Sequence, residues 1–153
     1  MTALTKLGRE LAQELEIALP VWVEARVRFI CQAWKLDWSE EIANDTQEAG
    51  KKCATEVGFR LRELLESGIE QQDTNPMSIL RSATNYPTQV LKNYGVAPIE
   101  RDDFSEDAFP DDVYGLTPTA FSDFGQTAHE LGIAWGAAKA HTHFSRRREA
   151  QSR

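Results

Sequence analysis

The run Leu131-Gly132-Ile133-Ala134-Trp135-Gly136-Ala137-Ala138 carries no charged or strongly polar side chain through more than two helical turns. A surface helix has one apolar stripe and one polar face, whereas a helix that is apolar all round is covered by its neighbours. Eight residues rise only about 12 Å as a helix, far short of a bilayer. The run therefore reads as a buried C-terminal core helix. Its small residues Gly132, Gly136 and Ala140 stand four apart and leave a shallow groove where another backbone or a flat ring can come close. Each glycine costs about 1 kcal/mol relative to alanine inside a helix, a loss that close packing offsets.

Upstream, Gly50, Ala54 and Gly58 repeat that spacing on a second long helical pattern. The two ridges are expected to cross, so that Gly136→Leu would destabilise the fold severely. This second helix starts at a cap on Asp37 or Ser39, has Glu40 and Glu41 in its first turn, and runs to about Glu66 before Ser67-Gly68. Its inward face reads Ile42, Thr46, Cys53, Val57, Leu61, Leu64 and Leu65.

Nearer the N-terminus, Leu4, Leu7, Leu11, Leu15 and Ala18 recur at steps of three and four, the amphipathic period. Leu19-Pro20 is expected to break that helix, with Pro20 opening the next, or else to kink it, because proline lacks the N–H and crowds the preceding turn; the break is the favoured reading. A further helix then carries Trp22, Val23, Val27, Ile30, Cys31 and Trp34 inward, stopping near Leu36. Trp38 falls at the junction, able to staple it or to meet a partner.

Beyond the connector, Asn75-Pro76 pairs a cap with a first-turn proline, and the short helix it starts is interrupted at Tyr86-Pro87 and stopped at Gly95. From about 96 to 117 the helical period fails. Asp102, Asp103, Glu106, Asp107, Asp111 and Asp112 there surround Phe104, Phe109 and Tyr114, an irregular acidic segment placed as a lid over one end. A turn of helix around Ser105 to Phe109 fits within it. Thr117-Pro118 then starts a brief helix through Phe121, closed at Gly125. The last helix begins after Thr127 and ends near Arg146 to Arg148, leaving 149–153 as a frayed tail. No period-two strand pattern persists. The expectation is an all-α, single-domain bundle of five or six helices over residues 1–153, with the C-terminal helix buried.

The 153 residues suffice for one hydrophobic core, and their composition is that of a water-soluble globular chain. The N-terminus lacks the apolar core of a secretion signal, and the pair Cys31 and Cys53 makes no disulfide framework, so a cytoplasmic protein with reduced thiols is expected. Net charge is −7, with the basic excess confined to the last stretch around Arg146-Arg147-Arg148. An acidic body repels phosphate backbones, so nucleic-acid binding is disfavoured, and no segment suits a membrane.

Catalytic spacings are missing. Asp103, Ser105 and Asp107 alternate like the start of a calcium loop, but Ala108 replaces the turn glycine and Tyr114 the bidentate glutamate. His129, His141 and His143 form no zinc or di-iron motif. There is no nucleophile elbow and no phosphate-binding glycine loop. No metal and no cofactor is expected.

The second half also holds Tyr86-Pro87-Thr88 with Val90-Leu91, Arg101-Asp102, Phe109-Pro110-Asp111-Asp112-Val113-Tyr114, Leu116-Thr117-Pro118 and Trp135-Gly136-Ala137-Ala138-Lys139-Ala140. In these runs the chain resembles a group of small uncharacterised actinobacterial helical proteins. The resemblance implies a bacterial, cytoplasmic protein and brings no activity or cofactor with it.

Absent catalytic spacing, the small-residue ridges and the uneven charge favour a non-enzymatic protein that works by association, as a homodimer or an adaptor. The alternative is a small-ligand or metal-binding protein, a hydrolase among its forms, with Asp111, Asp112, Tyr114, Trp135 and His141 gathered at an end of the C-terminal helix.

Overall fold

The computed structural model describes the backbone of residues 3–67, 75–98 and 112–152, and the side chains of 4–66, 75–98 and 112–141. Its described part is all-helical. Helix α1 spans Ala3–Ala33, α2 Glu40–Ser67, α3 Pro76–Leu80, α4 Asn85–Asn93 and α5 Gln126–Ser152; 3-10 turns occupy Arg81–Thr84 and Phe121–Phe124. Since α3, the first 3-10 turn and α4 follow without a gap, the described residues form four helical segments rather than five or six.

Helix α1 runs unbroken through Pro20, which corrects the expected break. A proline inside a helix costs about 3 kcal/mol or more. On both sides of it, however, Leu15, Leu19, Trp22 and Val23 lie in one buried stripe, and a break would divide that stripe. Gly50 of α2 makes room for the ring: a Cβ there would stand 3.1 Å from Pro20 Cα and 3.2 Å from its Cβ. The helix closes with Leu36 N–H bonded to Cys31 O at 2.9 Å and Lys35 in the left-handed region at φ 55°. Trp34 lies past the end of the stripe and is half exposed rather than inward.

Ser39 caps α2, its hydroxyl accepting from Ile42 N–H at 3.2 Å. All seven inward positions expected on this helix are buried. Its small residues, however, face α1 and not α5. A Cβ on Gly58 would meet Glu16 at 2.9 Å, whereas Gly132 of α5 is filled by the Phe121 ring and Gly136 has nothing within 4 Å. Small residues four apart mark a close approach but do not name the partner. The closest approach of all is Gly8, where a Cβ would fall 2.0 Å from the Leu65 carbonyl oxygen.

Asn75 caps α3 by accepting from Met77 N–H at 3.0 Å. Pro87, expected as an interruption, sits in the first turn of α4, where its missing donor costs nothing. That helix ends at Gly95, φ 75°, with Val96 N–H on Leu91 O. Residues 96–98 and 112–117 are irregular as expected; the calcium-like positions Asp103, Ser105 and Asp107, the 105–109 turn, and most of the proposed lid lie outside the described residues.

No helix begins at Thr117-Pro118. Asp123 instead organises the chain, its carboxylate accepting from Thr119 and Ala120 N–H at 2.7 and 3.0 Å, so that the 3-10 turn starts at Phe121. This turn docks between α1 and α5, with Phe124 5.6 Å from the Trp22 ring. Helix α5 continues to Ser152, and its described side chains, up to His141, pack along one side only. Ala128, Gly132 and Trp135 are buried, while Ile133 is 60% exposed and Ala134, Gly136 and Ala137 face water. The expected burial on all sides does not occur, because a run of alanine and glycine lacks charge without demanding cover.

Helices α2, α4 and α5 thus all pack against α1. The side of α1 that bears Ile17 and Val21 is open: these side chains are 69% and 65% exposed.

Candidate functional site

Asp112, one of the five expected ligand residues, is only 5% exposed. Its Oδ1 accepts from Leu116 N–H at 2.8 Å and from the Thr84 hydroxyl at 3.0 Å. Its Oδ2 accepts from Thr117 N–H at 2.6 Å and from the Thr117 hydroxyl. Burial alone would raise the carboxyl pKa, but the donors from Thr117, Leu116 and Thr84 together outweigh it and hold it below the usual carboxylate range. Both oxygens are engaged in tying the 112–117 turn to the 3-10 turn after α3.

Tyr114 occupies the same turn and donates to Val96 O at 2.6 Å, joining the stretch after α4 to the stretch before Phe121; burial raises its phenol pKa. Trp135 is buried against α1, its Nε1 3.4 Å from the position of a Cβ on Gly8, with Lys139 Nζ 4.8 Å above its ring. The Trp135 Nε1 donor has no hydrogen-bond partner among the described residues. His141 is exposed on α5, and Asp111 lies outside the described residues. Of the five expected ligand residues, therefore, Asp112 and Tyr114 share a turn and serve its closure, while Trp135 serves the α1–α5 contact. Among the described residues no group of three or more His, Cys, Asp or Glu is arranged to hold a metal ion, and no helix is long and apolar enough to cross a membrane.

Two surfaces hold more accessible chemistry. Between α2 and α4 a groove of about 440 Å³ is lined by Asp45, Glu48, Lys52, Glu56, Tyr86 and Asn93. Tyr86 donates to Glu56, and Tyr94 donates to Asp45 at 2.5 Å. The bond to Asp45, with partial desolvation, pushes the Tyr94 phenol up to about 12; desolvation and Glu56 push Tyr86 further still. Both phenols are thereby kept neutral and serve as donors.

The second surface follows the open side of the α1–α2 hairpin. A groove of about 540 Å³ lies among Pro20, Val21, Glu24, Arg28, Trp38 and Lys51, and a smaller hollow of about 360 Å³ lies among Glu16, Ala54, Phe59 and Arg62. Glu16 pairs with Arg62 at 2.6 Å, and Glu24 with Arg28 at 3.2 Å. The Arg28 guanidinium also lies 4.2 Å above the Trp38 ring. Alongside these held charges Ile17, Val21 and Phe59 are each more than 60% exposed.

Comparison with family models, curated proteins and solved structures finds no match to this chain. The α1–α2 surface is hidden in the sequence because the apolar residues that fit the core stripe dominate the period of α1. Its signal was the reverse: Ile17 and Val21 fall among Glu10, Glu14 and Glu24 on the polar side of α1.

Proposed function

We propose that this protein works by association, through the open side of its α1–α2 hairpin. The observation that carries the reading is the joint exposure of Ile17, Val21 and Phe59 beside two grooves that hold the Glu24–Arg28 and Glu16–Arg62 ion pairs. Isolated exposed apolar residues are ordinary, but apolar side chains gathered beside a concave, polar-rimmed strip are the usual composition of a contact surface. Held ion pairs also reduce the side-chain entropy that association would otherwise cost.

The ligand-binding reading draws less support, because the oxygens of Asp112 are filled from within the chain and a ligand would have to displace four donors.

Val21→Glu and Phe59→Glu test the proposal. Both positions are exposed, so each variant should keep the wild-type melting temperature. Sedimentation velocity and affinity capture from the native host should show an assembly or a retained, identified protein for the wild type that both variants lose. A wild type that stays monomeric and retains nothing the variants do not retain overturns it.

A further inference from the structure

Resting on that association reading, the pattern of charge along α1 points to a specific occupant. We propose that the open side of α1 pairs antiparallel with α1 of a second copy of this chain, with Val21 on the two-fold axis.

The outward seam of α1 is Glu10, Glu14, Ile17, Val21, Glu24 and Arg28, separated by steps of four and three, the spacing that keeps one line of a helix against a partner helix. The line is acidic at Glu10 and Glu14, apolar at Ile17 and Val21, and ends in the Glu24–Arg28 ion pair, whose arginine is its one cation. Glu14 and Arg28 each stand seven residues, about two turns, from Val21. In an antiparallel pair centred on Val21, Glu14 of each copy therefore faces Arg28 of the other. Ile17 falls at the level of Glu24 and the exposed Ala25, whose small side chain beside the seam leaves it room, and Val21 meets its own counterpart. A two-fold contact needs a patch complementary to itself, and a parallel pairing would set Glu14 against Glu14.

Arg28 is prepared for a second acceptor. Glu24 takes its Nε and one Nη2 hydrogen, Trp38 supports the guanidinium plane, and the group keeps further donors with its side chain 49% exposed. The groove among Pro20, Val21 and Trp38 lies next to the seam and receives the edge of the partner helix.

Two single charge reversals examine this register. Glu14→Arg sets arginine against Arg28 at both ends of its own homodimer, and Arg28→Glu sets glutamate against Glu14 at both ends of its own. An equimolar mixture of the two variants restores opposite charge at every such contact. Sedimentation velocity should show a wild-type dimer, at least about tenfold weaker self-association for each variant alone, and recovery in the mixture. Circular dichroism checks that each variant folds. A wild-type dimer whose strength neither reversal changes, or which the mixture does not restore, overturns the register. A monomeric wild type that still retains an identified protein, lost in Val21→Glu, overturns the homodimer and leaves the association reading standing. A monomer that retains nothing removes both.

Discussion

Replacing Asp112 by asparagine keeps the shape of the side chain and removes its charge and one of its acceptors. In the native turn four donors converge on two carboxylate oxygens. The asparagine oxygen can still serve Leu116 N–H and the Thr84 hydroxyl, but its amide then directs hydrogens at Thr117 N–H, which stood 2.6 Å from Oδ2. A half-buried N–H left without an acceptor costs about 1–3 kcal/mol, and the surviving bonds lose the extra strength of a charged acceptor, so the total is about 3 kcal/mol. For a chain of this size that corresponds to a fall in Tm of about 6–12 °C. The loss is pH-dependent in a defined sense. The carboxyl pKa of Asp112 is lowered on folding, so its contribution is present above the unfolded value of about 3.9 and disappears as pH falls through the lower, folded value. Thermal melts followed by circular dichroism should therefore show a large gap between wild type and Asp112→Asn at pH 7, narrowing from pH 5 downward. A variant melting within 2 °C of wild type at neutral pH, about half a kcal/mol, would refute the assignment of Asp112 as the clasp of this turn.

Other consequences are as direct. Gly8→Ala places a methyl group 2.0 Å from the Leu65 carbonyl oxygen, a backbone atom that cannot swing aside, and should lower Tm by about 6–12 °C for a cost of about 3 kcal/mol. Gly136→Ala meets nothing within 4 Å and should instead raise Tm by about 1–4 °C through helix propensity; a large fall would restore the close α2–α5 crossing that the structure lacks. Burial raises the thiol pKa of Cys31, and burial with the nearby Glu56 charge pushes Cys53 up to about 12. Neither should react with an aromatic disulfide reagent at pH 8 until the chain is unfolded, and rapid native labelling would contradict their burial. All three tyrosines have raised pKa values, Tyr94 to about 12. Native absorbance at 295 nm should stay low at pH 10.5, rising only on unfolding, and the stability these phenols contribute is complete below pH 10 and lost as pH climbs through their folded values.

The long helices were legible because their apolar residues recur at a strict period: the seven inward positions of α2 are all buried, and the caps at Ser39 and Asn75 are where hydroxyl and amide side chains would satisfy free N–H groups. Several of the features that differ concern partners. Pro20 marks a local cost, but the sequence does not reveal that Gly50 lies beside the ring and that a continuous stripe outweighs that cost. Gly132 and Gly50 share a spacing, yet one receives Phe121 and the other Pro20. Asp112 and Asp123 are indistinguishable from their acidic neighbours by composition. Only the backbone path shows that the first collects Thr84 from 28 residues away and that the second caps its own turn.

The open side of α1 shows why a residue's surroundings in sequence weigh more than its type. Ile133 is nearly as exposed as Ile17, but it stands among alanines and glycines on α5, where a single apolar contact with water requires no explanation. Ile17 and Val21 lie on one line with Glu14 on one side and Glu24 and Arg28 on the other, next to a groove floored by Pro20 and Trp38. Packing within the chain accounts for Trp22 and Val23 on the opposite side of the same helix, and it accounts for nothing at 17 and 21. Burying two such side chains at a contact is worth about 1.5–3 kcal/mol each, enough to select one geometry but too little for a tight complex on its own. The charged ends of the seam and the aromatic platform of Trp38 must then supply the remainder, which is why reversal of Glu14 or Arg28 is a sharper probe of this surface than truncation of Val21.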